Sequence, residues 1–313
     1  MLRLILKRLV WSVPLLLVAS ALTFVLLSLT AGNPAQAILG PMASQAQVQA
    51  LSKTMGLNLP LWDQYWHWLD AALHGNFGVS LETGATVTSL LSTRIVVSLT
   101  LIAGSTLLAG IGGVLLGMIA AIRGGRLGKL MESAAVLGLA VPDFLLGLVL
   151  IEVFAVAIRV FPASGWVAFS ASPEQWAKSL VLPVIALGGG VMTIVAVQTR
   201  DAMRDTLRSP YIRVLEANGF SRRSVLFKHA LRGAAIPLVT VVGIIVVALL
   251  GGSVLIETVF TLPGLGSELQ LAVGQHDIPV VQGIVVYFTL IVVVVNLLVD
   301  ICYGLLNPRV RVQ

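Results

Sequence analysis

RDAMRDTLRSPYIRVLEANGFSRRSVLFKHALRGAAIP, residues 200–237, is the one long charged segment in an otherwise apolar chain. Hydrophobic runs flank it on both sides, and each is long enough to cross a bilayer. Its internal order is helix, glycine, helix. The first helix is expected over about 203–218. Gly219 suits a left-handed C-terminal stop, which glycine adopts at little steric cost. Ser221 suits the N-cap of a second helix that continues to about Arg232, after which Ala234, Ala235, Ile236 and Pro237 lead into the next apolar run. A helix–glycine–helix elbow at a membrane surface presents a compact knob to a partner in the water phase.

The composition sets the class independently. The chain of 313 residues is 57% hydrophobic and 11% charged, with a mean hydropathy of +0.97. A soluble domain carries about a quarter charged residues. This reads as a single-domain polytopic membrane protein. One cysteine, Cys302, excludes an internal disulfide and a cysteine metal cluster. The net charge of +6 is no nucleic-acid signal, because the basic residues stand at the ends of apolar runs and not on one soluble face.

Six apolar runs follow along the chain, at about 9–30, 95–122, 132–158, 179–199, 234–256 and 278–306. Each meets the ~20 residues that a ~30 Å hydrocarbon core requires. The first, preceded by Arg3, Lys7 and Arg8, has the outline of a signal peptide with an Ala-x-Ala site at Ala35–Ala37. Its apolar stretch exceeds the ~7–15 residues of a secretory core, so an uncleaved span is expected. The second run carries Gly113 and Gly117 at the four-residue spacing of a close helix seam. The third is interrupted at Pro142-Asp143. Between the first two runs lies a polar connection, residues 32–94, where Trp62, Tyr65, Trp66 and Trp68 suit a helix lying at the membrane interface. His67 and His74 of that stretch read as surface residues before metal ligands. Gly124–Leu130 superficially resembles a phosphate-binding loop but lacks the Ser or Thr after Gly-Lys.

Charge asymmetry sets the expected orientation. Arg3, Lys7, Arg8, Arg123, Arg126, Lys129, the eight basic residues of 200–232, Arg309 and Arg311 fall on the side of the N-terminus. Lys53, Arg94, Arg159 and Lys178 fall on the other. The positive-inside rule then makes both termini and residues 200–237 cytoplasmic.

Residues 211–237 resemble the cytoplasmic loop of ABC importer permeases, in the version found in dipeptide, oligopeptide and nickel permeases, which typically reads YVRTARAKGLSxxxVxxxHALRNALLP. Tyr211, Arg213, Gly219, Ser221, His229, Ala230, Leu231, Arg232 and Pro237 fall on it. Asn218 and Gly233 depart from the usual Lys and Asn and read as surface variation. Met55–Leu81 is similar to the family's N-terminal signature, with Met55 and Asn76 as departures. Residues 251–283 resemble its closing signature through Glu257, Phe260, Pro263, Gly264, Gly266, Asp277, Pro279, Val280 and Gln282. The tail from Asn296 to Val312 agrees too, with Asn307 where Asp is usual. The resemblance covers essentially the whole chain.

It implies an all-α integral membrane protein of the type I ABC importer permease fold, with six transmembrane helices and a cytoplasmic coupling-helix loop. Residues 1–31 would be the first span, 32–94 the extracytoplasmic connection, 95–306 the permease core and 307–313 the cytoplasmic tail. Arg213, Leu215, Glu216, Ala217, Gly219, Ser221, Arg222, Arg223 and His229 would couple the chain to an ATPase. The expected partners are a second homologous permease, one or two ATP-binding subunits, an extracytoplasmic substrate-binding protein and membrane lipid. No nucleic acid is expected. ATP and Mg would be used by the partners, with no cofactor bound by this chain. The location implied is the inner, cytoplasmic membrane of a bacterium or archaeon.

No His-Glu-x-x-His, Gly-x-Ser-x-Gly or complete phosphate-binding loop is present, so an intramembrane enzyme lacks a catalytic set. A basic loop that only touches anionic lipid would share the charge of 200–237 but leave its motif unexplained. Ionisable residues at membrane depth are costly and tend to face a cavity or partner. Asp143 is therefore either a path-lining carboxylate or a satisfied polar group beside the Pro142 break. Glu257 either lines the outer mouth or caps the fifth helix. Di- and oligopeptides are the expected substrates, and nickel or a metal chelator the alternative.

Overall fold

The computed structural model describes residues 2–30, 34–40 and 42–306. The tail 307–313, with Arg309 and Arg311, lies outside the described residues. Among these residues the chain is helical, with one isolated bridge between Val79 and Thr86. Helix α1 (Leu2–Thr30) precedes three short helices, α2 (Pro34–Leu39), α3 (Gln45–Thr54) and α4 (Leu61–Leu73). Helix α5 (Val87–Leu107) runs through a π-helical turn at Leu108–Gly112 into α6 (Gly113–Arg123). Next come α7 (Gly125–Ala140) and α8 (Asp143–Leu150), the latter ending in a π-helical turn at Ile151–Ala157. Helix α9 (Pro173–Leu207) is followed by α10 (Pro210–Ala217). A single turn, α11 (Arg222–Ser224), passes through π-helical Val225–Ala230 into α12 (Leu231–Val259). The chain closes with α13 (Leu265–Gly274) and α14 (Ile278–Leu306).

Among the described residues five helical runs are long and apolar enough to cross a membrane: Ile5–Leu29, Val87–Arg123, Pro173–Leu207, Arg222–Val259 and Ile278–Leu306. The run expected at 132–158 is divided between α7 and α8. Val141 (φ −92°, ψ 117°) and Pro142 (φ −59°, ψ 138°) take extended backbone between them. Proline has no N–H for the helical ladder, and its ring pushes the preceding residue out of the helical region.

The chain divides into two compact units. One comprises Leu99–Leu262 with residues 294–306. Helix α9 is its hub and packs against α6, α7, α8 and α12. Small residues permit this closeness. A Cβ on Gly117 would stand 2.4 Å from the Ala196 carbonyl oxygen and 2.5 Å from Thr199 Cβ. One on Gly113 would stand 2.6 Å from Val195 Cβ. The glycine pair picked out by its spacing is thus the face of α6 that meets α9. Gly138 of α7 likewise abuts Gly190 of α9, whose Cα lies 3.3 Å from the Cβ position. Helices in lipid gain little from hiding apolar surface, so close van der Waals approach supplies much of their attraction.

The other unit comprises Leu2–Ser98 with Pro263–Val293. Here α4 docks on α1 through Tyr65. Its hydroxyl lies 2.9 Å from Ser20 Oγ, and its ring lies 5.7 Å from that of Phe24. Trp62 and Trp66 of the same helix remain exposed, in an edge-to-face pair. Val87, Leu91, Leu265, Val280, Val281 and Ile284 form the core. They interlock across α5, α13 and α14, and close van der Waals packing supplies the attraction between them. The partly exposed Arg94–Glu268 bridge, at 2.8 Å, contributes about 1 kcal/mol or less. The apolar cluster therefore holds this unit, and the bridge orients it. Burial pushes the Glu268 carboxyl above its usual range, Arg94 pulls it back, and Asp277 adds to the push. Asp277 itself accepts from Ser80 Oγ at 2.5 Å.

Candidate functional site

The charged segment folds as an elbow. Its first helix is α10, shorter than the expected 203–218. The residue before Pro210 is forced extended, with Ser209 at φ −67° and ψ 147°, so the span helix stops at Leu207 and a new helix begins. Helix α10 ends in a paired C-terminal stop. The Phe220 N–H donates to the Leu215 carbonyl at 3.2 Å, and the Gly219 N–H to that of Glu216 at 3.0 Å. This is the Schellman arrangement, and it requires a left-handed residue where Gly219 sits, at φ +79°. Ser221 then caps the next helix, its Oγ accepting from the Ser224 N–H at 3.3 Å. From Arg222 the helical run continues without a break to Val259, Pro237 included. The expected capping residues stand in their expected places, and the second helix merges with the membrane span.

The elbow has a buried foot and an exposed tip. Ile212 and Val225 are buried, and Leu226 and Ala230 join Met118, Met203, Ala234 and Leu238 in one cluster. Arg213, Glu216, Ala217, Gly219, Ser221, Arg222 and Arg223 are exposed, while Leu215 and His229 are half-buried. The rings of Phe220 and His229 meet edge to face at 5.7 Å, tying the two arms together. Val214, Phe220 and Phe227 are exposed apolar side chains on this knob. A tip that mixes cations with uncovered apolar groups fits a protein cleft better than water alone.

Gly233 is on the surface, as expected, but it is not freely interchangeable. A Cβ there would stand 2.8 Å from Thr206 Cγ2 and 3.0 Å from the Tyr211 hydroxyl. The hydroxyl also donates to the His229 carbonyl, at 3.5 Å. No local signal in the sequence announces this contact, because α9, α10 and α12 meet only in three dimensions.

Asp143 is the first residue of α8 and is half-buried. Its carboxylate lies against two glycines of neighbouring helices. Oδ1 is 3.7 Å from the Cβ position of Gly190 on α9, and Oδ2 is 3.5 Å from that of Gly252 on α12. Among the described residues no basic side chain forms a salt bridge with it. Gly190 is visible in the sequence only as the end of the Gly188–Gly190 run of the fourth apolar stretch, and neither it nor Gly252 is linked there to Asp143. Glu257 lies near the end of α12 and is fully buried, and its backbone carbonyl accepts from the Leu262 N–H at 2.8 Å. Asp143 and Glu257 both belong to the unit built on α9.

Among the described residues no group of three or more His, Cys, Asp or Glu side chains is placed to hold a metal ion. His67 and His74 are both exposed.

Comparison with known proteins agrees with this architecture. Residues 113–312 match a family described as "Binding-protein-dependent transport system inner membrane component". Residues 1–101 match its N-terminal companion, "Binding-prot-dependent transport system membrane comp, N-term". The chain is 37% identical over 308 residues to "Probable peptide ABC transporter permease protein y4tP" of Sinorhizobium fredii, covering 98% of each chain. It is 36% identical over 312 residues to "Glutathione transport system permease protein GsiC" of Escherichia coli K12, covering 99% of each. The GsiC of Shigella dysenteriae is similar to the same extent, 36% over 312 residues.

Proposed function

The chain belongs to the family of binding-protein-dependent transport system inner membrane components, a family of non-catalytic ABC importer permeases, and from that premise we propose that it forms half of an inward path for di- or oligopeptides. A second homologous permease supplies the other wall. A substrate-binding protein delivers cargo from outside, and one or two cytosolic subunits bind ATP and Mg. This chain holds neither. The relatives named for peptide and glutathione transport favour a peptide over nickel or a metal chelator, since glutathione is itself a tripeptide.

The observation that carries the coupling role is the capped elbow at Gly219 with its exposed tip. Arg213, Leu215, Glu216, Ala217, Gly219, Ser221, Arg222, Arg223 and His229 form or support the knob that meets the ATPase. Closure of the ATPase pair on ATP moves the knob. The second arm runs unbroken into α12, so displacement at the tip reaches the membrane span as a rigid lever. The test is uptake by cells lacking the chain and by cells with it restored. Labelled dialanine or trialanine should enter only the restored cells, and ⁶³Ni²⁺ should enter both equally. The reverse result would transfer the substrate to the metal class.

The orientation proposed is both termini and residues 200–237 in the cytoplasm, with 32–94 outside. Gln49 and Asn218 are exposed positions on the two sides. After replacement of Cys302, an impermeant maleimide should label Gln49→Cys in intact cells and Asn218→Cys only after lysis. Labelling of Asn218→Cys alone in intact cells would invert the topology.

Asp143 is proposed to line the path, and Glu257 its outer mouth. Asp143→Asn keeps the shape and removes the charge. Subunit levels and basal ATP hydrolysis should stay near wild type, while peptide uptake falls several-fold. Failure of the subunit to accumulate would instead make the carboxylate a structural partner of the Pro142 break.

A further inference from the structure

The Asp143 carboxylate meets no cation of its own chain. Among the described residues neither a hydrogen bond nor a salt bridge reaches it. On α9 no Lys or Arg lies between Lys178 and Arg200, and on α12 none follows Arg232. Gly190, the α9 residue beside the carboxylate, is therefore about 15 Å or more along the helix from Lys178 and Arg200. A carboxylate at membrane depth is costly, and chains keep one there where a partner meets it. As the first residue of α8, Asp143 also sits at the positive end of that helix, which favours its charged form.

The surroundings narrow the chemistry of the missing partner. Both oxygens are flanked by glycine: a Cβ at Gly190 would lie 3.7 Å from Oδ1, and one at Gly252 3.5 Å from Oδ2. At those two positions no side chain covers the carboxylate. Asp143, Gly190 and Gly252 are all half-buried, so the group keeps a reachable face. A second acceptor shares Gly190, since the Gly138 carbonyl oxygen is 2.9 Å from the same Cβ position. In an unbroken helix that carbonyl would accept from the N–H of residue 142, but Pro142 has none. A carboxylate and a carbonyl are too few for a metal ion, which gathers a fuller shell of ligands. They suit a primary ammonium, which brings donors only. Every peptide with a free amino end carries one.

We propose that Asp143, with the Gly138 carbonyl beside it, binds the α-ammonium of the peptide in the path, so that this chain itself selects substrates with a free amino end. The site rests on the peptide reading above, and the two fail separately. Entry of labelled trialanine into restored cells tests the reading. Preference for the ammonium, measured on the transporter alone, tests the site.

The test uses the full chain in its assembled transporter, nucleotide-free in lipid nanodiscs and without the substrate-binding protein. Binding is followed by saturation-transfer NMR, which detects weak ligands. Trialanine is compared with propionyl-dialanine, which has the same outline but a hydrogen in place of the ammonium. Trialanine should bind roughly tenfold more tightly, as expected for one charge-assisted contact. Asp143→Asn should weaken trialanine to the level of propionyl-dialanine and leave propionyl-dialanine where it was, and Asp143→Glu should recover part of the preference. Equal affinity of the two ligands for the wild-type transporter, or no binding of trialanine, would overturn the proposal whether or not any variant folds. So would equal weakening of both ligands by Asp143→Asn, which would make the carboxylate a structural partner of the Pro142 break.

Discussion

Gly117→Val is expected to be nearly absent from the membrane fraction, with Gly110→Ala, two helical turns earlier in the same run, at wild-type level. The difference is geometric. At Gly117 even a methyl group would lie 2.4 Å from the Ala196 carbonyl oxygen, which is backbone and cannot rotate away. At Gly110 a Cβ meets nothing within 4 Å. Overpacking a tight interface typically costs about 1–3 kcal/mol, and a clash with backbone sits at the upper end. About 3 kcal/mol shifts an equilibrium by about two orders of magnitude. The contact is also central, since α9 carries α6 on one side and α7, α8 and α12 around it. Pushing α6 outward would open the unit at its hub. Immunoblots of membrane fractions decide the matter, and Gly113→Val should behave like Gly117→Val. Normal accumulation and uptake of both would mean that α6 and α9 do not approach through these glycines.

The second large effect is expected at Gly219, and it is of a different kind. Gly219→Val should accumulate normally, recover little ATPase on pull-down and lose uptake. No atom lies within 4 Å of a Cβ built there, so the substitution meets no steric obstacle. The penalty lies in the backbone alone. A non-glycine residue at φ +79° costs on the order of 1 kcal/mol or more, and a β-branched one stands at the high end. The packing of α6, α7, α8 and α12 around α9 absorbs that cost. The Schellman bonds do not, because they exist only while residue 219 is left-handed. Val relieves its strain by leaving that region, and the tip that carries Glu216, Arg222 and Arg223 is then re-aimed. Gly219→Asn provides the discriminating control, since Asn tolerates the left-handed region and should retain most uptake. If residues 200–237 merely touched lipid, Gly219→Val would be silent and Arg204→Ala would cause a graded loss. Full ATPase recovery with Gly219→Val would remove the elbow from the coupling role.

The elbow is legible in the sequence because its determinants are local. A glycine where a left-handed residue is needed, and a serine one residue before a helix, act through bonds to residues three to five positions away. The same holds for the seam at Gly113 and Gly117, since a four-residue spacing puts two side chains on one helix face. Local rules also carried an error. Pro210 ends α9 and starts α10, although the charge pattern of 203–218 reads as one helix.

Readable from the residues alone are the class of the protein, its apolar runs, the helix–glycine–helix grammar of residues 200–237 and the resemblance that runs through the whole chain. These rest on composition and on short-range periodicity, which each segment carries alone. It is the helix packing that sets Gly190 and Gly252 beside the Asp143 carboxylate, makes Gly233 the room for Tyr211 and brings Ser80 to Asp277. Those pairs are separated by tens to hundreds of residues. Contacts of that kind depend on how helices cross, and crossing is set by the packing of all their side chains together, so no segment read alone contains it.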